Sequence, residues 1–99
     1  ANDTRKRKSR KNLAWTVDWD PGARKDLRRL DQQIQKRITQ FLQSRLASVS
    51  NPKQLGEPLV GKQGMWRYRV GDYRIVCLLD KQKCTIVVLR ARHRREVYK

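Results

Sequence analysis

The residues best suited to chemistry in this 99-residue chain are arginines that flank a predicted tight turn. A two-residue turn at Gly71–Asp72 favours a hairpin in which Arg69 pairs with Arg74. The same register pairs Arg67 with Val76, and alternate side chains of a strand share a face, so the three arginines converge on one side of the sheet. Like charges in cross-strand pairs are destabilising, and arginine forks match phosphate oxygens. The pattern therefore predicts a phosphate site on this face.

The last eight residues, RHRREVYK, combine an imidazole, guanidinium groups, a carboxylate and a phenol. Histidine is the side chain used most often for proton transfer, so His93 is a candidate acid or base. Its face depends on the preceding turn. If the segment from Lys81 to Lys83 turns through two residues, strand alternation puts His93 on the face of Arg74. A three-residue turn puts Arg90 and Arg92 there instead, and the sequence leaves both alternatives open.

The charge balance indicates an anionic partner. Lys and Arg number 25 against 9 Asp and Glu, which gives a formal net charge of +16. Nucleic acid is the leading candidate, because phosphates release counterions when cations neutralise them. An acidic protein is the second candidate and an anionic membrane surface the third. No apolar run approaches the ~20 residues of a membrane span, and no secretory signal is recognisable, so we expect a cytoplasmic protein that does not enter a membrane.

The two cysteines, Cys77 and Cys84, both lie in apolar runs that resemble strands. They are too few for a disulfide framework, and we expect buried, reduced thiols. Together with the single histidine they supply too few ligands for a zinc site. The sequence therefore predicts no metal.

The length suits a single domain with one hydrophobic core. Residues 1–12 contain six basic side chains, one acid and no large apolar group. Such a segment cannot bury enough surface to offset the entropy of ordering, so we expect a disordered basic arm followed by a folded domain over residues 13–99. The arm could bind RNA, act as a localisation signal, or be a solvated tail.

The first half of the domain shows one strand and then two helices. Apolar residues alternate with polar ones from Leu13 to Asp20, which predicts a half-buried strand. Asp20 can cap a helix that begins at Pro21, and Asp31 can cap a second, longer helix. The expected buried stripe of the first helix is Ala23, Leu27 and Leu30, and that of the second is Ile34, Ile38, Phe41, Leu42 and Val49.

The second half of the domain shows a loop and then three strands. Asn51-Pro52 ends the helical pattern, and glycines and prolines mark a loop of about fifteen residues, long enough to be a lid or an RNA-contacting edge. A three-stranded antiparallel meander follows, so the fold class is α+β, with the helices packed on one sheet face. The residues expected to receive the helices are Trp66, Tyr68, Val70, Tyr73, Ile75, Cys77 and Leu79.

Two motifs, RYRVGDYRIV and HRREVY, carry a resemblance to a known family. At this spacing they resemble the RelE/StbE branch of the RelE/ParE toxins of bacterial toxin–antitoxin modules, over residues 13–99. The resemblance implies a ribosome-dependent endoribonuclease that enters the decoding site, cuts messenger RNA and is held inactive by a cognate antitoxin. It implies neither a metal nor a small-molecule cofactor.

The resemblance also assigns catalytic roles. The family's phosphate-stabilising arginines fall on Arg74 and Arg92, and its terminal aromatic residue on Tyr98. His93 matches the histidine of relatives that end in HR-x-x-VY. The expected catalytic residues are therefore Arg74, Arg92, His93 and Tyr98.

RNA-binding roles fall on four further arginines. The family's basic pair before the hairpin corresponds to Arg67 and Arg69, and Arg94 and Arg95 follow the last strand. RelE has lysines at the positions of Arg67 and Arg69. Because arginine is effectively always protonated, it is a poor general base, which moves the expected proton transfer to His93 or Tyr98.

The implied chemistry is attack of a ribose 2′-OH on the adjacent phosphate, which leaves a 2′,3′-cyclic phosphate and a 5′-OH. It requires a base, cations for the phosphorane charge, and an acid for the leaving oxygen. Two alternatives remain. A ParE-like toxin of the same fold would inhibit gyrase without cutting RNA, and a noncatalytic module would bind RNA through the same charges.

Overall fold

The computed structural model describes residues 14–97. The predicted basic arm and Tyr98 lie outside the described residues. The elements are β1 (Thr16–Trp19), α1 (Pro21–Arg28), α2 (Gln32–Gln40), a π-helical segment (Phe41–Leu46), a 3₁₀ segment (Pro52–Leu55), β2 (Glu57–Pro58), β3 (Met65–Val70), β4 (Tyr73–Asp80), β5 (Thr85–His93) and α3 (Arg94–Val97). No helix in this part of the chain is long and apolar enough to cross a membrane.

The strands form one five-stranded sheet in the order β1-β5-β4-β3-β2. The antiparallel meander of β3, β4 and β5 is as predicted, and the α+β class is confirmed. β1 joins the sheet parallel to β5, so the sheet is mixed. β2 pairs with β3 inside the segment that the sequence presents as a loop.

The hairpin between β3 and β4 has the predicted register. Val70 is paired with Tyr73, and Arg69 with Arg74. Tyr68, Ile75 and Cys77 on one face are at most 1% exposed, whereas Arg69 on the other face is exposed. The strand alternation predicted from the sequence is therefore confirmed.

The helical stripe differs from the prediction at its end. Ile38 and Leu42 are fully buried, as expected, but the last buried residues are Leu46 and Ala47 rather than Val49. The reason is the wider π-helical turn from Phe41 to Leu46, which shifts later residues away from the 3.6-residue periodicity. The predicted core position of Val49 is wrong.

The two capping aspartates behave differently. Asp20 caps α1, with its Oδ2 accepting the Gly22 N–H at 2.9 Å. Asp31 occupies the N-cap position of α2, and its side chain makes no capping hydrogen bond. The predicted helix starts are therefore confirmed, but the predicted side-chain cap of Asp31 is wrong.

The turn between β4 and β5 contains four residues, because Asp80 pairs with Thr85. Neither of the two turn lengths considered from the sequence occurs. Cys84 is the last turn residue, with a φ of 46°, and it is exposed. The expectation of a buried Cys84 in a strand is wrong, whereas Cys77 is buried as predicted.

Candidate nucleic-acid interface

Arg74 lies on the central strand β4 with an arginine across from it on each side. Its backbone partner on β3 is Arg69, and its partner on β5 is Arg92. Arg74 is 9% exposed, while the side chain of Arg92 is 38% exposed. The sheet thus places a nearly buried arginine between two more accessible arginines on the neighbouring strands.

A β-bulge brings Arg92 to this face. Val76 pairs with Arg90, but the next residue, Cys77, pairs with Val88, so Leu89 is an extra residue in β5. A shift of one residue turns every following side chain to the opposite face. Without the bulge, the register set by the turn would place Ala91 opposite Arg74. Together, the four-residue turn and the bulge place Arg90 and Arg92 on the face of Arg74. This is the arrangement that the sequence predicts for a three-residue turn.

His93 is paired with Tyr73, on the opposite face from Arg74. The two rings make an edge-to-face contact with centroids 5.3 Å apart. The Nδ1 of His93 accepts the Arg95 N–H at 3.2 Å, and the backbone N–H of His93 donates to Glu96 Oε1 at 3.3 Å. The structure therefore does not bring His93 together with the arginines of the sheet.

Glu57 is a carboxylate that the sequence did not single out. Its Oε1 lies 2.7 Å from Nη2 of Arg67, its partner across β2 and β3. The hydrogen bond and charge of Arg67 lower the pKa of Glu57, Arg69 and Arg74 lower it further, and desolvation opposes them. No sequence signal marks Glu57, because a two-residue strand has no recognisable alternation.

A cleft of about 350 Å³ surrounds these groups. Its lining comprises Gln54, Leu55, Gly56, Glu57, Arg67, Tyr68, Arg69 and Arg74. A single carboxylate therefore shares a cleft with three guanidinium groups, which suits a phosphodiester with an adjacent hydroxyl.

The wall of this cleft depends on a close approach at Gly56. A Cβ at this position would lie 2.6 Å from the Arg67 carbonyl oxygen and 2.6 Å from the Tyr68 ring. Tyr68 is buried, which raises its pKa, and its hydroxyl donates to the Pro52 carbonyl at 2.9 Å. These contacts hold the segment before β2 against β3 and so place Glu57 beside the arginines.

The side of the sheet that carries Arg67, Arg69, Arg74 and Arg92 is called the arginine face, and Arg94 extends it toward the hairpin turn. Its N–H donates to the Asp72 carbonyl at 2.8 Å, which places the start of α3 beside the turn. A second, smaller cleft of about 60 Å³ is lined by Arg69, Gly71, Asp72, Arg74 and Arg94. Arg95 is exposed, and Tyr98 lies beyond the described residues.

Asp26 is the second acidic residue that sequence reasoning missed. The helical pattern treats it as a surface position, but it is only 6% exposed. It lies on α1 and forms ion pairs with Arg90 and Arg92. The contact links the first helix to the last strand, and no local pattern predicts so distant a pairing.

Within residues 14–97, no three His, Cys, Asp or Glu side chains form a group that could hold a metal ion. The arginines of this surface therefore lie near carboxylates that form no metal site: Glu57 in the main cleft, Asp72 in the smaller cleft and Asp26 beside Arg92.

Sequence comparisons identify relatives of this chain. The family model described as the ParE toxin of the type II toxin–antitoxin system parDE matches residues 17–98. Toxin RelG of Mycobacterium tuberculosis (strain ATCC 25618 / H37Rv) is 31% identical over 88 residues, which cover 88% of this chain and 99% of RelG.

Solved structures show the same fold. A chain of the toxin–antitoxin complex RelBE2 from Mycobacterium tuberculosis is 30% identical with a TM-score of 0.73, over 82% of this chain and 92% of that chain. A chain of the RelB–RelE antitoxin–toxin complex from Methanococcus jannaschii is 29% identical with a TM-score of 0.68, over 83% of this chain and 95% of that chain.

Proposed function

Because the chain belongs to the RelE/ParE family of toxins of type II toxin–antitoxin systems, we propose that it is a ribosome-dependent endoribonuclease that cuts messenger RNA in the decoding site. The observation that carries this proposal is the position of Arg74 between Arg69 and Arg92. Arginines on three neighbouring strands form a cationic surface whose guanidinium groups can bind the oxygens of one phosphate. A phosphate in the act of substitution carries the extra charge that such an arrangement stabilises.

In the proposed reaction the ribose 2′ oxygen attacks the adjacent phosphorus. The bond from phosphorus to the 5′ oxygen breaks, which leaves a 2′,3′-cyclic phosphate and a 5′-OH. Arg74 and Arg92 stabilise the phosphorane, and four further arginines bind the flanking backbone phosphates. Those binding residues are Arg67, Arg69, Arg94 and Arg95.

Proton transfer is assigned to the carboxylate of the arginine cleft and to the C-terminal segment of the chain. Glu57 accepts the proton of the 2′-OH, since it is the carboxylate of the arginine cleft. His93 and Tyr98 are the candidates for donating a proton to the 5′ oxygen. Tyr98 is favoured, because His93 is paired with Tyr73 on the other face.

The proposed partners are a translating ribosome and a cognate antitoxin in the cytoplasm. The relatives RelBE2 and RelB–RelE are toxin–antitoxin complexes, which supports a protein inhibitor for this chain. Its net charge of +16 favours an acidic or amphipathic antitoxin, because opposite charge speeds association. Loss of toxicity on co-expression of the neighbouring small gene would support this partner, and persistent toxicity would contradict it.

The test is cleavage of a defined messenger on purified translating ribosomes, with product ends mapped by primer extension and end-group analysis. We expect a 2′,3′-cyclic phosphate and a 5′-OH. Glu57→Gln should lower the single-turnover rate by about 10²-fold, as expected for the loss of a general base. Products with a 3′-OH, or intact messenger, would exclude the mechanism.

A second candidate function is gyrase inhibition, which the match to the ParE family model favours. A supercoiling assay with the same preparation separates the two functions. Inhibition of gyrase by a protein that leaves ribosome-bound messenger intact would replace the nuclease proposal. Binding to RNA without cut ends would instead indicate a noncatalytic module.

A further inference from the structure

The carboxylate of Asp26 is the point at which α1 meets the bulged end of β5. Oδ2 accepts the Ala91 N–H at 3.0 Å and lies 3.2 Å from Nε of Arg90 and 3.6 Å from Nε of Arg92. Oδ1 accepts a further hydrogen bond from Arg90 Nη2 at 3.4 Å. One buried side chain thus binds the backbone and both arginines around Ala91.

The Ala91 N–H needs an acceptor outside the sheet because β1 does not pair with this part of β5. The pairing of β1 with β5 ends at Val88, and the bulge at Leu89 follows immediately. A bulge locally disrupts the ladder, and a buried N–H without a partner is costly. Asp26 supplies the acceptor that a strand would supply and so fixes the register that turns Arg92 toward Arg74.

The ion pair also orients the guanidinium of Arg92. The contact of Asp26 Oδ2 with Arg92 is at Nε, 3.6 Å away. The Arg92 side chain is 38% exposed, so a bound anion can reach it. Because its oxygens already face a backbone N–H and two guanidinium groups, Asp26 acts through Arg92 rather than on a substrate.

We propose that Asp26 is the positioning residue for Arg92: it fixes the strand after the bulge and holds Nε so that the terminal nitrogens face the scissile phosphate. The inference rests on the proposed function, because it assigns Arg92 to the reacting phosphate. It adds a residue of the first helix, 66 positions from Arg92 along the chain (92 − 26), to the machinery of the arginine face.

Asp26→Asn tests the proposal, since asparagine keeps an acceptor for the Ala91 N–H and loses the charge that holds Arg92. We expect single-turnover cleavage to fall about tenfold through misplacement of Arg92, with ribosome affinity nearly unchanged. Asp31→Asn is the matched control: Asp31 is exposed, its side chain caps nothing, and the charge change is identical. Thermal unfolding of both variants confirms that they fold.

A double-mutant cycle with Arg92→Ala separates positioning from a general structural effect. If Asp26 acts through Arg92, Asp26→Asn should reduce the residual rate of Arg92→Ala by less than about twofold. A full tenfold loss in that background, or wild-type cleavage by folded Asp26→Asn, would overturn the proposal.

A measurement that does not depend on activity can test the positioning of Arg92 by Asp26 separately from the proposed nuclease function. ¹⁵N relaxation of the Arg92 Nε–H should show an ordered side chain in wild type and in Asp31→Asn, and a mobile one in Asp26→Asn. If the wild type cuts no messenger but shows this pattern, the nuclease is rejected and Asp26 still anchors Arg92. Unchanged order in Asp26→Asn rejects the anchoring itself.

Discussion

Tyr73 and His93 are paired across β4 and β5, and their rings meet edge to face with centroids 5.3 Å apart. This contact ties the imidazole to the face opposite Arg74. The sequence predicts a catalytic role for a histidine at this strand end, whereas the strand register gives it a packing partner. Its contributions to stability and to cleavage are therefore separable by substitution.

We expect His93→Phe to keep the stability of the wild type, because phenylalanine preserves a ring against Tyr73. His93→Ala should lower the free energy of unfolding by about 1 kcal/mol, the usual size of an aromatic pair interaction. Cleavage by His93→Phe should stay within about threefold of wild type, below the effect of a lost general acid. Urea unfolding and single-turnover cleavage measure both quantities, and a hundredfold slower His93→Phe would make His93 the proton donor.

The low pKa of Glu57 should depend mainly on Arg67. Its hydrogen bond and charge are the largest causes of the lowered pKa, ahead of Arg69 and Arg74. We therefore expect Arg67→Gln to raise the pKa of Glu57 more than Arg74→Gln does, as followed by NMR titration of the side-chain carboxyl. Equal shifts in the two variants would contradict the pairing of Glu57 with Arg67.

The ion pair between Glu57 and Arg67 also determines how the stability of the protein changes with pH. Glu57 has a folded pKa below its ordinary value of 4.5, so its contribution is present above pH 4.5 and is lost as the pH falls through the folded pKa. Glu57→Gln removes this dependence. Its unfolding free energy should therefore fall less steeply than that of wild type below pH 4.5, and parallel curves would show that the ion pair does not contribute.

The hairpin at Gly71 was predictable because a two-residue turn allows one register, and that register alone puts Arg69 opposite Arg74. The position of Arg92 was not predictable, since the four-residue turn and the bulge at Leu89 each shift the alternation by one residue. Neither has a sequence signature as strong as Gly-Asp. Glu57 and Asp26 could not be found for another reason, because their partners are brought to them by tertiary packing rather than by periodicity.

The two N-cap aspartates provide a matched pair for stability. Asp20 accepts the Gly22 N–H, so Asp20→Ala should lower the free energy of unfolding by about 1 kcal/mol. The Asp31 side chain makes no such bond, and Asp31→Ala should cost less than half as much. Chemical denaturation measures both values, and equal losses would show that the carboxylate of Asp31 also caps its helix in solution.

The cysteines should differ in reactivity and should both stay reduced. Cys77 is buried, which raises its pKa and disfavours the thiolate, whereas Cys84 is exposed at the turn. A thiol reagent should modify one cysteine in the native protein and two after unfolding, and Cys84→Ser should remove the native reaction. No reactive thiol after unfolding would indicate a disulfide and contradict the expectation.

Arg74→Ala is the sharpest test of the arginine face, because Arg74 has an arginine across from it on both neighbouring strands. The substitution removes a like charge opposite Arg69 and Arg92 but also an attraction to Glu57, so we expect the protein to remain folded, as checked by urea unfolding. Loss of a donor that acts mainly in the transition state typically costs about 10²–10³ in rate, whereas ribosome affinity should fall much less, since many cations share the phosphate attraction.

The control for this prediction is Arg28→Ala, which removes the same charge from an exposed position on α1. We expect its cleavage rate to be nearly that of wild type and its ribosome affinity to fall about as much as that of Arg74→Ala. Single-turnover cleavage and equilibrium binding of the two variants thus separate transition-state stabilisation from general basicity. If both variants lose activity equally, and in proportion to their loss of affinity, the arginines serve binding alone and the site is not catalytic.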